Sequence, residues 1–171
     1  KASLSESRQK EQALRKKLRA ANGKSEGTDD DPASSAAAFL DAVCDAYAAL
    51  YSAADAQRNP LRLLRVGPKF LESVHALEAV STARIVEVCT HVAAGRAHEL
   101  AGLHVHPLRD GEKGGAPQRV RTRDGAQGWR CALKVGAPSA GRLHWWALQG
   151  VDGGAIEFAS VGVHDDVDIP E

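Results

Sequence analysis

The chain has 171 residues, 22 basic and 22 acidic side chains, and no Met. That length holds one domain with a real core plus an appendage, and the balanced charge excludes a uniformly nucleic-acid-binding surface. With 5% aromatic residues in a chain that is 43% apolar, the core must be built mainly from Leu, Val and Ala.

The charge is unevenly spread. Lys1, Arg8, Lys10, Arg15, Lys16, Lys17 and Arg19 face only Glu6 and Glu11, whereas Asp152, Glu157, Asp165, Asp166, Asp168 and Glu171 face Lys134 and Arg142 near the other end. Such asymmetry marks local surfaces with partners. Cys44, Cys89 and Cys131 are odd in number, far apart and set in apolar runs, the pattern of reduced buried thiols in a cytoplasmic protein. No stretch has the apolar length to cross a bilayer, so no membrane partner is expected. A start at Lys1 is expected of a fragment or a processed product.

Residues 1–22 read as a basic helix with Leu4, Leu14 and Leu18 along one side, a stripe too thin to fold alone. Residues 23–35 are rich in Gly, Ser and Asp and read as a flexible linker. Asp31 followed by Pro32 is a helix start, and Phe39, Leu40, Val43, Cys44, Tyr47, Leu50 and Tyr51 recur at helical spacing, predicting an amphipathic helix over 36–59. Its simplest use is to complete the core.

Residues 60–171 form the expected α+β domain. A short strand at 61–66 leads to a helix with Phe70, Leu71, Val74 and Leu77 inward. Ser81 caps another carrying Ile85, Val88, Cys89 and Val92, which ends at Gly95. The period then changes to two, with strands at 103–108, 118–123, 129–135, 142–148 and 155–163, separated by turn residues. Short connections predict an antiparallel meander.

In the strand 118–123, alternation places Arg119, Arg121 and Arg123 on one face, a positive ladder of phosphate spacing. In the next strand Trp129, Cys131, Leu133 and Val135 share the apolar face, which leaves Arg130 and Lys134 opposite. Faces that repel themselves in this way expect an anion, unless acidic side chains elsewhere neutralise them. Trp145 and Trp146 point to opposite faces, so at most one is expected in the core. His104 and His106 have metal-ligand spacing, with Glu112, His144 and His164 in the same region. That pattern faintly resembles a cupin site and supports an alternative reading as a small metal-dependent enzyme.

The order LRLLRV (61–66), GPKFLESVHALEAVSTARIVEVCTHVAAG (67–95), GLHVHPLRDG (102–111), QRVRTRDGAQGWRCAL (118–133) and IEFASVGVHDD (156–166) resembles the RelE/ParE-like toxins. The resemblance covers about residues 61–168. It implies a helical hairpin on an antiparallel sheet that holds an R-x-R segment and then a W-R strand. It also implies an endoribonuclease of the mRNA interferase type, acting at the ribosome without a cofactor and attacking with the ribose 2′-OH. Arg119, Arg121 and Arg130 would match the basic strand positions and His164 the terminal proton-transfer position, with Arg121, Arg130 and His164 catalytic. Arg119, Arg121, Arg123, Arg130 and Lys134 would bind RNA. An antitoxin-like protein, or the chain's own N-terminal helices, would be the regulatory partner, and a homo-oligomer is compatible with this. Asp165, Asp166 and Asp168 crowd His164 where active nucleases tend to have basic or tyrosyl groups, and the strand 142–148 is additional. A catalytically silent interaction module is therefore the alternative of a different class.

Overall fold

Ser35 starts the first helix of the computed structural model, its Oγ accepting the Ala38 N–H at 3.1 Å. The structure describes residues 33–100, 102–111, 115–134, 141–150, 154–163 and 169–171. The expected helix at 1–22, most of the linker, Asp31 and Pro32 lie outside them, as do Glu112, Val135 and His164. Helix α1 (Ala36–Leu50) buries Phe39, Val43 and Ala46, spaced four and three apart on one stripe. Cys44 lies one residue off that stripe and is exposed, correcting the expectation of a buried thiol. The predicted helix to residue 59 breaks at Tyr51, and Ser52 caps a short α2 (Ala53–Arg58).

Strand β1 (Leu63–Val66) precedes α3 (Phe70–Ala76). Ser81 then caps α4 (Thr82–Ala93) as its sequence predicts. Gly95 ends α4 at φ +70°, where its N–H reaches Val92 O and the Arg96 N–H reaches His91 O, a Schellman closure that favours glycine. A 3-10 turn follows at Ala97–Glu99. The remaining strands are β2 (His106–Pro107), β3 (Gln127–Ala132), β4 (Arg142–Leu148) and β5 (Ala155–Gly162).

The five strands form one sheet in the order β1-β5-β4-β3-β2. β2 to β5 make the expected antiparallel meander, but β1 pairs parallel with β5, so the sheet is mixed and the fold α+β. α3 packs on β5, while the main helical neighbour of α4 is α1. No helix among the described residues is long and apolar enough to cross a membrane.

Two predicted strands are mostly absent from the sheet. In 103–108 only His106 and Pro107 pair, because His104 adopts φ +50° and turns the chain out of extension. In 118–123 only isolated bridges form, at Gln118 and Val120. Here Asp124 accepts the Ala126 N–H at 3.1 Å and Gly125 takes φ +70°, so the segment turns back early.

The main core lies between the helices and one sheet face. Phe39 meets Phe70 edge-on with centroids 4.9 Å apart and Phe158 at 6.1 Å, and Ile85, Val88, Leu133, Leu143 and Trp145 surround them. A smaller cluster of Leu108, Ala126, Trp146, Ala159 and Ile169 covers part of the other face. Both tryptophans of β4 are therefore buried, correcting the expectation that at most one would be. Trp146 can be buried because its indole N–H donates to Pro170 O at 2.8 Å.

Since Phe39 sits at the centre of this core, deleting residues 1–58 should abolish cooperative folding. Loss of a buried Phe alone costs about 3–5 kcal/mol. Near-ultraviolet circular dichroism and urea titration, compared with the full chain, would check this. A sharp transition in the shortened chain would remove α1 from the folding unit.

Candidate nucleic-acid interface

The three arginines of the predicted ladder each meet a carboxylate. Arg119 Nε lies 2.7 Å from Asp110. Arg121 is fully buried and donates to both oxygens of Asp124 at 2.9 and 2.7 Å and both oxygens of Glu157 at 2.7 and 3.1 Å, with its guanidinium 5.0 Å over the Trp146 ring. Arg123 reaches Glu157 at 3.4 Å. Arg121 therefore cannot touch RNA or a reacting phosphate, which corrects its expected role. Burial alone would lower its pKa, but hydrogen bonds to Asp124 and Glu157 and their charges outweigh this and raise it. Arg119 and Arg123 remain at the surface with counterions. Lys134 is also displaced from the expected face, its Nζ donating to Ala79 O in the loop before α4.

In the same network, the hydrogen bond from Arg121 is the largest influence holding the Asp124 carboxyl down to about 2, against 3.8 ordinarily. A carboxyl depressed on folding adds stability that is complete above the unfolded-state value and is lost as pH falls through the folded one. The urea midpoint should therefore hold steady down to about pH 4 and drop toward pH 2. Asp124→Asn should flatten that drop, and an unchanged profile would discount the pair.

A different set of basic groups is brought together by strand register. His106 pairs with Arg130, Arg130 with His144, and His144 with Ser160, so one rung crosses β2, β3, β4 and β5. A β-bulge completes it: Trp145 pairs with Phe158 while His144 pairs with Ser160, leaving Ala159 as the extra residue. The bulge puts Glu157 and Ser160 on the same side of the sheet. Arg142 precedes His144 by two residues and shares its face.

His144 and Ser160 are buried, with Ser160 Oγ 3.3 Å from His144 Nδ1, while His106, Arg130 and Arg142 are half-exposed. Arg130 Nε approaches His106 Nδ1 at 3.4 Å, and the same nitrogen lies 3.1 Å from Pro107 O. A neutral imidazole can satisfy only one of these contacts at Nδ1. The shorter, to a carbonyl, requires Nδ1–H and leaves Nε2 as the acceptor. Burial lowers the pKa of His106, helped by the charges of Arg130, Arg142 and His104 against the opposing contact to Pro107 O. Burial and Arg142 likewise lower that of Arg130. Among the described residues neither Arg130 nor Arg142 has a carboxylate partner. An anion set between them would relieve this repulsion.

At the β5 end of the rung a cleft of about 670 Å³ opens beside Ser160, lined by Lys69, Ser73, Glu72 and Glu171 among others. Its two acids outnumber its one lysine, so it adds room but no net positive charge. No group of three or more metal-ligating side chains is assembled among the described residues. The left-handed turn at His104 also breaks the simple alternation that would have set its ring beside that of His106.

Of the residues predicted to bind or act on RNA, the structure keeps Arg130 on an open basic face, and joins to it Arg142, Ser160 and two histidines, His106 and His144, that the sequence offered only as metal-ligand candidates. His106 and His144 are marked in the sequence by that candidacy alone, and for Arg142 the signal is its two-residue spacing from His144 in a strand. That signal acquires meaning only when β3 and β4 are in register. Comparison with known proteins finds no matching family model, curated protein or solved structure.

Proposed function

We propose that this domain binds RNA through the face made by His106, Arg130 and Arg142, and that it acts on bound RNA as a RelE-like, metal-independent ribonuclease. The observation that carries the reading is the basic rung itself: cations fixed on rigid strands, raising each other's energy, with no carboxylate among the described residues to quench them. The resemblance of residues 61–168 to the RelE/ParE-like toxins supports it, because Arg130 stands at one of the matching positions.

The chemistry suited to this face is transesterification. His106, neutral at pH 7, takes the proton of a ribose 2′-OH at Nε2 as that oxygen bonds to phosphorus. The bond to the 5′ oxygen breaks, and the departing oxygen takes a proton from water. Arg130 and Arg142 stabilise the charge that builds on the phosphate oxygens. With zero net charge on the chain, affinity for free RNA will be modest and strongly salt-dependent. Action on RNA already presented by the ribosome is the expected mode.

Fluorescence anisotropy with a short single-stranded RNA across a salt series tests binding. The same RNA carrying one 2′-deoxy position, free or on programmed ribosomes, tests cleavage. Absence of salt-sensitive binding would end the RNA reading. Binding without cleavage on ribosomes would favour the silent interaction module.

A further inference from the structure

On the reverse of the same strands the sheet floors a second concavity of about 440 Å³. Its lining includes Trp129 and Trp145 of β3 and β4, Gln127 and Gln149 toward one end, and Arg62 and His98 on the helical side. The two indoles lie nearly parallel, at 14°, with centroids 6.4 Å apart. Among the described residues no acidic side chain lines the space.

The guanidinium of Arg62 is closely fitted there. Its Nη2 lies 3.0 Å from where a Cβ on Gly95 would stand, so the glycine that closes α4 also gives the cation its seat. Among the described residues Arg62 has no carboxylate partner. Among the described residues the cavity therefore combines the half-buried indole of Trp129, backed by the buried Trp145, two side-chain amides that each offer a donor and an acceptor, and a cation without a carboxylate partner. Its volume suits one small organic molecule. Indole faces hold planar rings, amides read the polar edge of a base, and a guanidinium grips phosphate in two-point fashion.

We infer that this cavity is a binding site for a mononucleotide, with the base against Trp129 and the phosphate at Arg62. It is separate from the RNA face. The separation is one peptide thick, since Val105, Trp129 and Trp145 in the cavity adjoin His106, Arg130 and His144 on the other side.

Isothermal titration calorimetry of the full chain with AMP, and with ribose 5-phosphate as the base-free control, tests the site. AMP should bind with a stoichiometry of one, and ribose 5-phosphate much more weakly. Arg62→Gln should weaken AMP by about tenfold or more, the loss of one charge-assisted contact. Gln149→Ala, at an exposed position, should also weaken it. Arg130→Ala should leave AMP binding unchanged, and urea midpoints would certify that each variant is folded. Three results would overturn the site: no heat at millimolar AMP, equal affinity for ribose 5-phosphate, or binding that follows Arg130 and ignores Arg62.

Discussion

Arg121→Ala is expected to unfold the domain or bring it close to unfolding, although the residue lies in the most basic-looking segment of the chain. The side chain is fully buried and bonds four carboxylate oxygens, and Glu157, 8% exposed, would lose its bidentate partner. Breaking one side of a buried ion pair costs about 3–5 kcal/mol, because the remaining charge stays desolvated. Domains of this size are stable by about 5–15 kcal/mol in total. Arg121→Lys should rescue little, since one ammonium cannot bridge two carboxylates in the planar fork geometry. Arg121→Met combined with Glu157→Leu should recover much of the loss by removing both charges. A urea midpoint in Arg121→Ala equal to the parent would show that the network contributes nothing.

For Arg130→Ala with Arg142→Ala the expected pattern is the reverse, with folding retained and RNA affinity lost. Removing two cations that repel each other relieves strain on the sheet face, so the urea midpoint should hold or rise slightly. Each phosphate contact to single-stranded RNA contributes about 0.7 to the slope of log K against log salt, so the double variant should flatten the slope by about 1.4. Affinity near physiological salt should fall by about 10- to 100-fold, as expected for two charge-assisted contacts. If the domain cleaves RNA, the rate should fall further, since both cations face the developing charge. Arg119→Ala and Lys134→Ala, each removing a cation with another bond to make, should do much less. Losses from these two larger than from Arg130 and Arg142 would move the interface elsewhere.

Elements signalled by contiguous residues were legible in the sequence. Ser81 as a cap, Gly95 as a stop, the alternation of β4 and β5 and the apolar stripe of α1 all lie within one element, where local geometry decides. The α+β class followed from them. The candidate face was legible only in part, because its chemistry is decided between strands. The counterion of Arg121 is 36 positions away in the chain, and no periodicity announces it. Arg130 and His144 become neighbours only through the β3–β4 register, and Ser160 joins them only through a bulge at Ala159. His104 leaves the extended region where β-alternation would keep it. The same limit explains β1: four residues cannot show whether their partner is the next strand or, as here, the last.

That last pairing decides when the protein can become itself during synthesis. β1 emerges early, yet its partner is 155–162, and Phe158 completes the ring cluster begun by Phe39 and Phe70. A nascent chain stopped short of residue 155 would hold finished helices, with β1 lacking its partner strand and β4 presenting one unpaired side. The native arrangement is therefore expected to form only after β5 has left the ribosome. Until then the chain is a substrate for chaperones and proteases.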